Sequence, residues 1–480
     1  MSAALARIPR MALTCAAIAC LNAISWSLVT PPFEVPDEPD HFAYVKQLAE
    51  TGRPPSSSSE DLSKEESAAL YALDSERLRL RPQIHAIQTQ GEQEALERAL
   101  ASDAHETGSP AAGVATSQPP LYYALEAIPY SLASGASVLD RVALMRLFSA
   151  LLAGFTALFA YLFVREALPA APWAWSVGGL SIALAPLLAF MSGAVNPDAL
   201  LFAVSAALFY CLARAFRRGL GTRDAIAIGA VTAIGFMSKL NFIGLAPGVL
   251  LGLVVLTVRQ ARAIGHSAWR RLALAGGLAL SPIVLYALVN ALSDHPVLGL
   301  VSQASPGGSL LAELNYVWQL YLPALPGAVS DFPGLFTARE IWFHQYVGLY
   351  GWLDTPLPGW VDNLALVPAT LIAALCLRSL YRGRAALRSR ALELATYAIM
   401  AFGLMALIGL ASYQHFPATD AEFGQVRYLL PLLAPLGAAL ALAARGAGRR
   451  WGPAVGAAIV VLFIAHDIFS QLQVIARYYG

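Results

Sequence analysis

The chain has 480 residues, of which 57% are hydrophobic and only 13% charged, with a net charge of +1. Soluble domains carry about 25% charged residues, so a water-facing surface of this size is excluded. The near-neutral balance also excludes the basic footprint of a nucleic-acid-binding protein.

Apolar runs long enough to cross about 30 Å of hydrocarbon as helices recur along the chain. We read eleven spans, at about 11–30, 142–164, 171–191, 197–213, 224–239, 242–258, 272–292, 362–380, 391–412, 428–444 and 452–470. Arg7 and Arg10 precede the first run; it is longer than a signal-peptide core, and an uncleaved helix is expected. The patch 121–134 is broken by Glu126 and Pro129 and reads as an interfacial segment. The four cysteines, Cys15, Cys20, Cys211 and Cys376, fall inside apolar runs without CxxC spacing, as small core residues do. With the N-terminus in the cytoplasm, nineteen of the 32 lysines and arginines fall in inside loops, and the short outer loops are almost bare of them.

This topology divides the chain into a first helix (1–30), an external loop (31–141), helices two to seven (142–292), a second large external loop (293–361), and helices eight to eleven with a tail (362–480). The first loop holds a Ser-rich stretch, Ser56–Ser59, and two helix-like charged segments, 60–80 and 90–102, with Asp61 and Ser63 as cap positions. The second is rich in Pro, Gly and aromatics.

Six polar motifs fall on the external face. Pro36-Asp37-Glu38-Pro39-Asp40-His41 follows the first helix directly. Crowded carboxylates resist full ionisation, which suits general base work or divalent metal binding; helix capping is the bland alternative. Gln118-Pro119-Pro120-Leu121-Tyr122-Tyr123 returns the loop to the membrane, as a substrate contact or an aromatic anchor. Asn196-Pro197-Asp198 opens the fourth span, as a cap or a substrate contact. Lys239, one of only three lysines, ends the fifth span, where a phosphate would give it a partner. Gly351-Trp352-Leu353-Asp354 sets an aromatic beside a carboxylate, a way to hold a sugar ring; a membrane-interface belt explains the aromatic equally well. Arg427-Tyr428 opens the tenth span against the positive-inside bias, and arginine binds phosphate in a bidentate fashion; an ion pair with an outer-loop acid is the alternative. Arg146, about one turn into the second span, is a weaker candidate of the same kind.

The ordered pieces P-D-E-P-D-H-F (36–42), Q-P-P-L-Y-Y (118–123), N-P-D-A (196–199), G-W-L-D-T (351–355) and V-R-Y-L-L-P (426–431) resemble the bacterial membrane family called domain of unknown function 2142. That family in turn is similar to the GT-C glycosyltransferases that use polyprenyl-phosphate sugars. Val426 stands where the family usually has Gly. The resemblance implies an all-α, GT-C-like polytopic membrane protein of about eleven helices, with short helices in a long first external loop, in the bacterial plasma membrane. It implies sugar transfer with inversion from a polyprenyl-phosphate-linked donor to a glycan, lipid or protein acceptor on the external face. Asp37 would be the base, with Glu38 the other contender, and Arg427, Lys239 and Arg146 would meet the lipid phosphate. Asp40, His41, Gln118, Tyr122, Asn196, Asp198, Trp352, Asp354 and Tyr428 complete the expected binding set. A divalent cation, Mg or Mn, on Asp37, Glu38 and Asp40 is compatible with the sequence.

Two other readings compete. A transporter or flippase of a lipid-linked glycan would place polar residues near the bilayer midplane, whereas the charges here sit at span ends. An assembly subunit would use the 53–117 stretch for docking.

Overall fold

A computed structural model describes residues 8–56, 62–84, 89–101, 107–109, 111–292, 310–323, 338–419 and 424–480. In chain order the α-helices are α1 (Arg10–Val29), α2 (Glu38–Thr51), α3 (Lys64–Ala72), α4 (Ser75–Leu78), α5 (Gln90–Ala101), α6 (Leu121–Leu132), α7 (Val138–Ala167), α8 (Pro172–Ala183), α9 (Pro186–Ser192) and α10 (Asp198–Arg218). They continue as α11 (Thr222–Ser238), α12 (Ala246–Ile264), α13 (His266–Leu292), α14 (Leu310–Tyr321), α15 (Gln345–Gly348), α16 (Gly359–Arg382), α17 (Arg384–Ser389), α18 (Ala391–Thr419), α19 (Leu433–Gly446) and α20 (Gly448–Tyr479). Short 3₁₀ turns at Gly113–Ser117, Leu240–Leu245 and Val426–Leu432 precede α6, α12 and α19. The only strands among the described residues, β1 (Leu349–Tyr350) and β2 (Thr355–Pro356), form one small antiparallel hairpin.

Among the described residues nine helical stretches are long and apolar enough to cross a membrane, and α8 with α9 makes a tenth if that bent pair is one span. The 50° bend falls at Pro186, where a proline ring cannot continue the preceding helix. With α11, 17 residues long, every run read as a span is helical. The segment 121–134 forms α6, outside the candidate spans, as its internal Pro129 suggests. In the first loop Ser63 does cap α3, with Glu66 completing a capping box; Asp61 and Ser57–Ser59 lie outside the described residues, as do 293–309 and 324–337 of the second large loop.

Helix α7 is the hub, packed against α1, α8, α10 and α19. Lipid offers no hydrophobic drive between helices, so close approach relies on small residues. At Gly178 of α8, an added Cβ would meet the Gly437 carbonyl of α19 at 2.5 Å. By contrast the apolar window of α16 has no buried residue, as expected of a lipid-facing helix.

The first loop folds back as a cap. Lys46 of α2, fully buried, donates to Ser63 Oγ at 2.9 Å and pairs with Glu65 at 2.5 Å. Arg141 of α7 holds the same Glu65 at 2.6 Å. Burying several charges is tolerable only because each meets an opposite partner, and the result fixes α2 and α3 on the end of α7.

Polar side chains gather at two ends of the bundle. One end carries Arg217 and Arg218 on Glu166, Arg214 on Asp224, and Arg390 on Glu393. The other carries the residues that follow.

Candidate functional site

Asp37 occupies the N-cap position of α2, yet its side chain makes no capping bond, and its backbone is left-handed at φ +65°. A non-glycine residue persists there only where its surroundings over-determine it. Asn196 supplies part of that constraint: its Nδ2 donates to the Pro36 carbonyl at 3.2 Å. The turn aims the Asp37 carboxylate at Arg427, whose Nη2 donates to Asp37 Oδ2 at 2.6 Å. The Asp37 side chain remains 25% exposed whereas Arg427 is 5% exposed, so the acid can be approached and the cation stays sheltered. Burial would push the Asp37 carboxyl up, but Arg427 and nearby Lys239 override it and hold it below the usual carboxylate range.

A second pair stands beside the first. Lys239, at the end of α11, donates to Asp198 Oδ1 at 2.7 Å, and its ammonium lies 5.7 Å from the centre of the Tyr428 ring. Asp198 Oδ2 is buried without a partner. The helix-opening bond here is made by Asn196, whose Oδ1 accepts from the Asp198 backbone N–H at 3.0 Å. Asp198 and Lys239 both lie within electrostatic range of Arg427. His41 Nδ1 bonds the Tyr123 hydroxyl at 3.0 Å. Burial pushes the His41 imidazole down to about 3, so it is neutral and serves Tyr123 as a fixed hydrogen-bond partner. Tyr123 itself stacks on Tyr44 with ring centres 3.7 Å apart.

Arg427 also borders a small, partly open pocket. Its accessible wall is apolar, from Leu187, Phe190 and Met191 of α9 with Leu349 and Leu353 of the hairpin, and Gln345, Gln425 and Arg427 border it. Arg427 Nε and Nη1 and Gln425 Oε1 are buried there without partners. Leaving a charged group's N–H donors buried and unmet costs free energy, a cost that an anion brought into contact with the guanidinium would relieve.

The remaining expected residues diverge. Glu38, fully buried, takes Arg146 Nε at 2.7 Å and Nη2 at 2.5 Å and also accepts from the backbone N–H groups of Phe33 and Val195. The other Arg146 bonds go to the carbonyls of Ser27, Thr30 and Pro31. No donor is left for a phosphate, so Arg146 and Glu38 form a structural clasp. Asp40 turns away to accept from the Val114 N–H at 3.0 Å. The three carboxylates therefore point to three different partners, and no group of three or more His, Cys, Asp or Glu that could hold a metal occurs among the described residues. The Mg or Mn site drawn on Asp37, Glu38 and Asp40 does not form, because the three carboxylates cannot converge while each serves a different neighbour.

Tyr122 bonds Ser149, which donates on to Glu126 at 2.7 Å, and Gln118 Oε1 is buried without a partner. Trp352 donates to the Phe33 carbonyl at 3.0 Å, and Asp354 accepts from Leu80 N–H at 2.9 Å. Both brace the back of the Asp37 turn, and neither lines the pocket. Sequence reasoning passed over Glu34 and Gln345. Glu34 stands three residues before Asp37 in an apolar setting and carried a signal of its own; Gln345 carried none.

A family model described as "Predicted membrane protein (DUF2142)" matches residues 20–436. The chain belongs to that family. No match is found among curated proteins. Among solved structures, the DUF2142 chain is similar to an Archaeoglobus fulgidus oligosaccharyltransferase tethered with an acceptor peptide, at 14% identity and a TM-score of 0.43. It is similar also to the archaeal oligosaccharyltransferase AglB from the same organism in complex with an inhibitory peptide and a dolichol-phosphate, at 13% identity and 0.41. Each alignment covers 98% of this chain; the chain spans 55–56% of the length of those structures.

Proposed function

We propose that this DUF2142 protein is a GT-C-like membrane glycosyltransferase that moves a sugar from a polyprenyl-phosphate-linked donor to a glycan, lipid or protein acceptor at the external face of the bacterial plasma membrane. One observation carries the reading: a carboxylate within reach of solvent and a sheltered guanidinium with two unmet N–H groups share one site beside an apolar-walled pocket. The guanidinium suits a phosphate, whose oxygens accept charge-assisted N–H bonds from it. The apolar wall suits the first carbons of a prenyl chain.

In the reaction the acceptor hydroxyl gives its proton to Asp37 as its oxygen attacks the anomeric carbon from the face opposite the phosphate. The bond from that carbon to the phosphate oxygen breaks, and the polyprenyl phosphate leaves with the electron pair. Arg427, with Lys239 close by, stabilises the charge that develops on the departing oxygen, and fixed charges contribute most where water is scarce. When phosphate draws on Arg427, Asp37 loses part of the cation that depresses its basicity, so donor binding makes it a better base.

The test is Asp37→Asn in full-length protein reconstituted in proteoliposomes. Transfer should fall by about 10³-fold or more, the scale on which removal of a general base and its charge acts, with insertion and thermal stability retained. Transfer at the parental rate would remove Asp37 as the base.

A further inference from the structure

The turn that aims Asp37 has two left-handed non-glycine residues, Phe33 (φ +68°) and Asp37 (φ +65°). Glu34 sits between them, 1% exposed. Three distant segments meet behind it. Ser75 Oγ donates to Glu34 Oε1 at 2.5 Å, and the Tyr478 hydroxyl, from the end of α20, reaches Oε2 at 3.4 Å. The Phe33 carbonyl accepts from Trp352 Nε1 at 3.0 Å and from Arg79 Nη2 at 3.4 Å, and the Arg79 guanidinium stacks on Trp352 at 4.1 Å. Arg477 ties the assembly together: its Nη2 donates to the carbonyls of Leu78 and Arg81, and it stands 3.9 Å from Asp354. The last turn of α20 lies beyond the stretch the family model matches, yet it reaches the loop that carries the proposed base.

We propose that Glu34, Arg477 and Tyr478 are positioning residues that lock the 33–37 turn, so that the end of α20 sets where the Asp37 carboxylate points. This rests on the reading of Asp37 as the base for its catalytic consequence, but the lock itself does not. None of the three lines the pocket or touches Asp37. Their removal should therefore act on turnover and leave donor affinity in place.

The experiment compares full-length wild type, Glu34→Leu, Glu34→Gln, Arg477→Lys and Tyr478→Phe in lipid nanodiscs. Hydrogen exchange is followed on the peptide spanning residues 31–41, whose amides at Phe33, Glu34 and Glu38 are bonded within the turn. Exchange there should rise at least tenfold in Glu34→Leu and Arg477→Lys, with the α7 and α10 peptides unchanged, and Glu34→Gln, which keeps the hydrogen bonds, should restore the parental rate. Turnover of synthetic farnesyl-phosphoryl hexoses should show kcat reduced tenfold or more with KM within twofold, again rescued by Gln. Unchanged exchange in 31–41 overturns the lock, as does loss of protection spread evenly over the bundle. Should Glu34→Leu not fold, Arg477→Lys and Tyr478→Phe give the same comparison. If wild type turns over no hexose while exchange responds as stated, the transferase reading fails and the lock stands.

Discussion

Arg427 Nη2 donates to Asp37 Oδ2 at 2.6 Å although the two residues are 390 positions apart in the chain. The contact joins the loop after the first helix to the 3₁₀ turn that opens α19, and it leaves Nε and Nη1 of the same guanidinium without partners. Arg477 also has Nε and Nη1 buried without partners, so what sets Arg427 apart is its place at the edge of a pocket beside a solvent-reached carboxylate.

Arg427→Lys keeps the charge and removes the fork. Affinity for undecaprenyl phosphate, measured by titration in nanodiscs, should fall about 10- to 100-fold, equivalent to about 1.4–2.8 kcal/mol. Arg427→Ala should fall further and also release the Asp37 carboxyl upward, because burial then acts on it without its main cation. A lysine variant that binds the lipid as tightly as wild type would show that Arg427 serves Asp37 alone.

Much of this site was legible in the sequence because ionisable groups are costly beside hydrocarbon and therefore stand out in an apolar chain. Asp37, Lys239 and Arg427 were visible on that ground, and the structure brings them together. The division of labour within the acidic motif was not legible. Asp37 and Glu38 are adjacent, yet the left-handed residue at 37 turns one carboxylate to Arg427 and the other into the bundle. Arg146 looked like a phosphate ligand because the carbonyls that occupy it, from Ser27, Thr30 and Pro31, are brought to it only by the packing of α1 on α7. The helices themselves followed from run length, whereas the bend at Pro186 and the folded cap over α7 depend on tertiary contacts such as Lys46 with Glu65.

The Glu38–Arg146 clasp should behave as a buried pair. Arg146→Met leaves a fully buried carboxylate uncompensated and should cost about 3–5 kcal/mol, seen as a large drop in detergent melting temperature. Glu38→Gln in the same chain removes the stranded charge, and its one amide oxygen can still accept from either the Phe33 or the Val195 N–H, which donate to different oxygens of Glu38. The double variant should therefore melt above Arg146→Met alone. Additive losses would mean that the two residues act separately.

Glu126 gives a pH dependence with a defined sign. It is fully buried on α6, Ser149 donates to one of its oxygens, and the other has no partner. Burial pushes its carboxyl up to about 8 from an ordinary value of 4.5. The folded state thus holds a proton that the unfolded chain has already lost at neutral pH. Stability from this group is complete below about 4.5 and is lost as pH rises towards about 8, by roughly 1.4 kcal/mol per pH unit within that window. Glu34, pushed up to about 7 by the same cause, adds a slope of the same sign that ends sooner. Between pH 7 and 8 the Glu34 slope dies away and Glu126 supplies most of what remains. Wild-type melting temperature should fall across this interval, and Glu126→Gln, neutral at every pH, should fall clearly less and melt above wild type at pH 8. A variant that tracks the wild-type slope from 7 to 8 would mean that Glu126 is already ionised in the folded protein, with a cation or water network meeting its second oxygen.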